Sequence, residues 1–236
     1  MAFNPTVTEL VDLVRKRSNM ENCQFVTDQE IVDLLNRAHT ELYDMVVGTN
    51  ENYFVNSIDV SILGGIDAYA LPSDFYKVLG VDLNIDTERA ISLKRFQFTE
   101  RNRYKTTIYA PHIPASIYQY HVVDTNLKFI PKPKEAKTAV LWYVPLPKKL
   151  VLSAPGTGES SSLDIRMAMY DDYLIVDAAI NVLLKEESDV SVLMAEREVI
   201  KQRIIQYVTN RDVNEPEKVT DSYSANYPNF NAVFPW

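Results

Sequence analysis

Apolar residues recur along this chain at two different periods. In "NPTVTELVDLVRKR", Val7, Leu10, Val11 and Val14 share one helical face, and Thr6 with Glu9 has the spacing of a capping box. "VTDQEIVDLLNRAHTELYDMVVG" repeats the device with Thr27 and Glu30. Its stripe runs through Ile31, Leu34, Leu35, Ala38, Leu42, Met45 and Val46, with Gly48 as the expected stop. After residue 50 the period shortens to two. "NYFVNSIDVSIL" alternates, Gly64 and Gly65 mark a turn, and "DAYAL", "KVLGVDLNI", "ASIYQYHVV", "LKFI" and "TAVLWYVPL" read as short strands. Between them "SLKRFQFTERNRYK" reads as a short charged helix. "SAPGTGESSS", residues 153–162, reads by composition as a flexible polar loop. Helical spacing then returns. "MYDDYLIVDAAINVLLKEE" is apolar nearly all round, the mark of a central buried helix. "SDVSVLMAEREVIKQRIIQYVTNRD" starts at an expected Ser188 cap, and Arg197 interrupts its apolar stripe.

The order is helix–helix, strands, helix–helix, arm. Neither helix pair buries its apolar face alone, so the two must meet in one bundle. The expected fold class is α+β: a helical bundle built from N- and C-terminal helix pairs, an inserted small β domain, and an extended C-terminal arm. The expected divisions are 1–50, 51–150, 151–212 and 213–236.

Composition narrows the function classes. Apolar residues make up 46% of the 236, enough for a sizeable core. The net charge of -8 argues against tight nucleic-acid binding, which needs a basic footprint, but suits a wall past which DNA slides. One cysteine, Cys23, allows no intrachain disulfide and no multi-cysteine metal site. The first residues lack a signal-peptide pattern, and no stretch approaches the roughly 18 apolar residues of a membrane span. A soluble protein, intracellular when made, is expected.

Chemistry is sought and mostly not found. His39, His112 and His121 show no helical i, i+4 pair of the kind a zinc protease uses. Asp171 and Asp172 open a helix, where acids suit the dipole, and Glu186, Glu187 and Asp189 make a polar junction. The Gly-x-Gly of the 153–162 loop lacks the lysine of a phosphate loop. Cys23 has no histidine at a family spacing, and there is no nucleophile elbow. No catalytic residue, cofactor or metal site is expected. In "FTERNRYK", Arg101, Arg103 and Lys105 with Tyr104 suit stacked phosphate binding; the reading preferred in so acidic a chain is that Arg101 and Arg103 form ion pairs with a neighbouring subunit. Arg197 is a third inter-subunit candidate.

The C-terminal arm carries Tyr223, Tyr227, Phe230, Phe234 and Trp236, and no charge after Asp221. Each large apolar side chain left in water costs roughly 1.5–3 kcal/mol. Folding back on its own core is one solution. The preferred reading is insertion into a partner surface, where aromatic anchors dominate interface energies.

One corner stands out, "DAYALPSDFYKVLGVDL". Tyr69 and Leu71 are apolar anchors, Pro72 ends strand pairing, Asp74 is placed to cap local backbone, and Phe75 packs back as the chain re-enters. This corner and "DQEIVDLLNRAHTELYDMV", "LKRFQFTERNRY", "LKFIPKPKEAKTAVLWYVPLP" and "DDYLIVDAAINVLLKEESDVSVLMAEREVIKQRI" followed by "NRD" together resemble the head-to-tail adaptor (connector, or head completion) proteins of short-tailed bacteriophages. That resemblance implies a structural virion protein, no enzyme, located at the head–tail interface after assembly in host cytoplasm. It implies a dodecameric ring under the portal that joins portal to a tail or nozzle protein and lines the DNA exit channel. DNA would pass without sequence-specific binding, no membrane would be involved, and the arm would reach toward the portal. A different virion ring such as a nozzle or stopper is the near alternative. A hydrolase or a nucleic-acid-binding module is the distant one.

Overall fold

The computed structural model describes residues 5–22, 24–86, 89–100, 117–152 and 163–212. Among these the chain is α+β, with four α-helices and two four-stranded sheets. The helices are α1 (Val7–Arg17), α2 (Asp28–Thr49), α3 (Asp171–Lys185) and α4 (Ser191–Thr209). The strands are β1 (Asn56–Ile62), β2 (Ala68–Ala70), β3 (Phe75–Asn84), β4 (Ala90–Ser92), β5 (Lys94–Arg95), β6 (Gln119–Val123), β7 (Asn126–Ile130) and β8 (Lys137–Pro145).

Helix ends show how local chemistry fixes the segments. Thr6 and Glu9 form the full reciprocal box: Glu9 N donates to Thr6 Oγ1 at 3.3 Å and Thr6 N donates to Glu9 Oε2 at 2.8 Å. At α2 only half of it forms. Thr27 Oγ1 accepts from Glu30 N, but the Glu30 carboxylate takes Lys185 Nζ at 2.6 Å, tying the start of α2 to the end of α3. Gly48 does not stop α2, which runs through Thr49 to an extended Asn50. α1 and α3 each end in a left-handed residue that is not glycine, Asn19 (φ 57) and Glu187 (φ 61). Behind each, paired backbone bonds close the helix: Met20 N to Arg15 O, and Ser188 N to Leu183 O. Ser188 thus finishes α3 and does not cap α4. The cap position of α4 is Val190, and the Asp189 carboxylate accepts from Ser191 N at 2.9 Å.

One apolar cluster draws on all four helices. α3 packs against α1, α2 and α4, so it is buried nearly all round, from Tyr173 through Val182. The buried set includes Asp177, a carboxylate 3% exposed. Arg197 Nη1 donates to Asp177 Oδ1 at 2.6 Å, and Asn181 Nδ2 lies 3.3 Å from Oδ2. The arginine that interrupts the stripe of α4 therefore answers an acid on α3.

The sheets run in the orders β1-β8-β3-β4 and β2-β7-β6-β5; all pairings are antiparallel except β5–β6. Their facing sides enclose a second core that includes Val81, Leu83, Tyr120, Phe129 and Leu141. The expected charged helix at 92–105 is not there in its described part. Residues 94–95 are strand and 98–100 a single 3-10 turn: Lys94 and Arg95 pair with β6, and Leu93 and Phe96 on either side of them are buried. The Gly64–Gly65 turn is needed as written: a Cβ on Gly64 would meet Lys134 O at 2.4 Å, and Gly65 has φ +87.

Asp177→Ala removes the partner of a guanidinium only one third exposed. We expect a loss of about 3 kcal/mol in urea unfolding, the low end for breaking a buried pair. Asp177→Asn, which keeps a hydrogen-bond acceptor, should lose clearly less.

Candidate functional site

The corner at residues 67–83 sits where the sheets meet the helices. Tyr69 packs edge-on against Phe129, and its hydroxyl accepts from Leu63 N at 2.9 Å and lies 3.0 Å from the Leu63 and Ile66 carbonyls. Leu71 N makes the last ladder-like bond, to Thr125 O. Pro72 has no N–H to continue it, and its carbonyl accepts from Phe75 N at 3.1 Å, turning the chain. The Asp74 carboxylate takes the Tyr143 hydroxyl at 3.1 Å, where a local backbone cap was expected. Burial, with Asp74 beside it, raises the Tyr143 phenol pKa. Phe75 stacks on the same tyrosine at 6.0 Å.

The next two residues reach across to α2 and the turn that follows it. Tyr76 Oη donates to Asp44 Oδ1 at 3.1 Å, and Lys77 pairs with Glu51 at 2.6 Å. From the helix side, Tyr43 donates its hydroxyl to the Pro145 carbonyl and stacks on Phe54 with centroids 4.4 Å apart. Two turns earlier, Asn36 exchanges two bonds with the backbone of Leu150, at 2.9 and 2.7 Å. Asn36, His39 and Tyr43 are spaced three and four apart, so one face of α2 carries the joint. Arg166 lies 5.0 Å over the Phe54 ring and grips Asp164 through Nε and Nη2, holding that carboxyl pKa low. His39 is buried, which depresses its pKa despite the pull of Asp164.

A shallow cavity of about 340 Å3 opens on the outer side of this joint. Tyr53 is central to it. Its hydroxyl lies 3.2 Å from that of Tyr170 and donates to Arg166 O at 3.3 Å. Arg211 lies 4.1 Å over the Tyr53 ring, with Nη1 bonded to Tyr53 O. Ile165, Met169 and Tyr207 form an exposed apolar rim. None of this aromatic–arginine arrangement was singled out in the sequence. The available signal was Tyr53-Phe54 ahead of a strand and Arg211 at the end of the last helix.

The other candidates are distributed as follows. Arg101, Arg103, Lys105, His112, Cys23 and the arm residues Tyr223, Tyr227, Phe230, Phe234 and Trp236 lie outside the described residues. Arg197 makes the intrachain contact to Asp177. Each carboxylate cluster has a local use. Asp171 Oδ1 accepts from Asp172 N, Asp172 faces Arg203 at 3.7 Å, and Asp189 holds the start of α4. His121 accepts from Arg95 Nε at 3.2 Å and packs between Phe96 and Phe98.

Among the described residues, the polar side chains named above serve caps, turns and the joint. The family model described as the SU10 adaptor protein matches residues 5–214, and the chain belongs to that family. This is a phage structural adaptor family, not an enzyme family, in keeping with the resemblance to phage head–tail adaptors. No curated protein matches the chain. Among the described residues, no helix is long and apolar enough to cross a membrane.

Phe75→Ala should lower stability by about 2–3 kcal/mol, toward the low end for a buried phenylalanine because Phe75 is half-buried. An unchanged melting temperature would mean that the corner holds nothing. A second expectation concerns pH. The unfolded chain takes up a proton near pH 6.5, before folded His39 does, so the contribution of neutral His39 is complete above that pH and is lost progressively as pH falls from there through the lower pKa of the folded state. The urea midpoint should hold steady above about pH 7 and drop as pH falls below about 6.5. His39→Leu should flatten part of that drop, leaving the share of His121, whose pKa is also lowered.

Proposed function

We propose that this chain is the subunit of a ring that joins the portal to the tail of a short-tailed phage and lines the channel through which DNA leaves. The observation that carries the proposal is membership of the adaptor family along residues 5–214. In this reading the four helices form one bundle, the two sheets form a lobe on it, and the corner holds the lobe at a fixed angle. Tyr69, Leu71, Pro72, Asp74 and Phe75 act as that structural corner, with no catalytic part. Twelve copies, the number the resemblance implies, would give a strongly negative wall, because each carries a net charge of -8. Such a wall repels phosphate and lets DNA pass without sticking.

The need for neighbours has physical support in the subunit itself. Val192 and Val199, seven residues apart on α4, are 77% and 70% exposed. They share a helical face that the rest of the described chain does not cover. Like-charged subunits repel, so apolar contact must offset that repulsion, and a portal ring would template the assembly. Arg101 and Arg103 would supply ion pairs to adjacent acidic subunits, and the aromatic arm would insert into neighbouring surfaces.

Sedimentation of the pure protein at micromolar concentration should show small species, and rings should be visible in negative stain once the portal protein is added. A stable large ring formed without portal would contradict the templating. Failure to bind portal under any condition would contradict the adaptor role and favour another virion ring.

A further inference from the structure

We propose that the cavity beside Tyr53 is a cradle for the C-terminal arm of a second copy of this chain. This inference rests on the ring reading above and names the contact that closes one subunit onto the next.

Three features of the cradle point to an aromatic occupant. Its rim is apolar and open, with Ile165 70%, Tyr207 61% and Met169 56% exposed. Its floor is aromatic, Tyr53 and Tyr170, both buried. Its edge is cationic, with Arg211 already held over one ring at 4.1 Å and exposed on its outer side. A thioether and a guanidinium are both good neighbours for the face or edge of a further aromatic ring. A cavity of about 340 Å3 takes one or two such side chains.

The arm has the matching chemistry. Residues 213–236 contain Tyr223, Tyr227, Phe230, Phe234 and Trp236, preceded by the acids Glu215, Glu217 and Asp221. In a chain of net charge -8, an acidic lead-in followed by an uncharged aromatic stretch suits a site edged by arginine. It brings apolar area to a neighbour without adding carboxylates to the contact itself.

The arm is long enough to reach the cradle of a neighbour. The arm begins immediately after Arg211 and Asp212, on the cradle edge, and the residues nearest that edge are its charged ones. The first aromatic lies eleven residues further on, at Tyr223. Twenty-four extended residues span up to about 80 Å, whereas a domain of this size is about 45 Å across. Contacts of this kind, one surface to a different surface on the next copy, are those that generate rings.

The test uses two populations of full-length chain, each with Cys23→Ser. One carries Met169→Cys on the cradle rim. The other carries Ser222→Cys, Asn229→Cys or Ala232→Cys, which leave every arm aromatic in place. The populations are mixed, assembled on portal, and oxidised. The expected result is a disulfide-linked dimer between the two populations for at least one arm position. It should be lost in the reducing lane and reduced at least tenfold when the cradle population also carries Ile165→Glu. Assembly without any such dimer would overturn the cradle while leaving the ring intact. So would a crosslink found only within one chain, in the double variant Met169→Cys, Asn229→Cys, or one found only to portal. Absence of assembly with unmodified protein would overturn both readings.

Discussion

The structure depends on one strand that belongs to two cores. Tyr143 and Val144 are neighbours on β8, and strand geometry points them to opposite sides. Tyr143 enters the core between the sheets, and Val144 enters the core of the helices. Neither core closes without the end of β8. The neighbouring contacts secure that shared strand: Tyr43 on the Pro145 carbonyl, Asp74 and Phe75 on Tyr143, and the backbone of Asp74 on Leu146. The corner at 67–83 thus meets β8 through a proline turn, an acid and aromatic rings.

The same joint places the exposed cavity beside Tyr53. Phe54 stacks on Tyr43 on the inner side, and Tyr53, next in line, turns outward to meet Tyr170, Arg166 and Arg211. A dipeptide thus links the buried joint to an exposed cradle. In the proposed ring, a rigid connection between helices and sheets would transmit position from one ring to the next. Loose lobes would lose it to entropy on every assembly step.

Much of the fold was legible because periodicity and caps are local. The Thr6–Glu9 box, the all-apolar run of α3 and most strands follow from residues near one another in the chain. What was not legible depended on partners far away in sequence. The Arg197 contact was hidden because its acid, Asp177, sits inside a different helix that reads as apolar nearly all round. Glu30 looked like half of a capping box, but Lys185 outcompeted the local backbone for its carboxylate. The stretch from Leu93 to Phe98 had helical charge spacing, yet pairing with β6 and burial of Leu93 and Phe96 decided its conformation. The cradle was missed for the same reason: its residues come from positions 53, 165–170 and 207–211, and only the fold brings them together.

If one strand completes both cores, helices and sheets unfold as one unit. Trp142, on β8, reports the sheets once the other tryptophan is removed by Trp236→Phe, while far-ultraviolet circular dichroism reports mainly the helices. The two probes should trace the same urea transition, with one midpoint and one slope. Two separated transitions, with the tryptophan signal lost while the helices stay intact, would contradict the account.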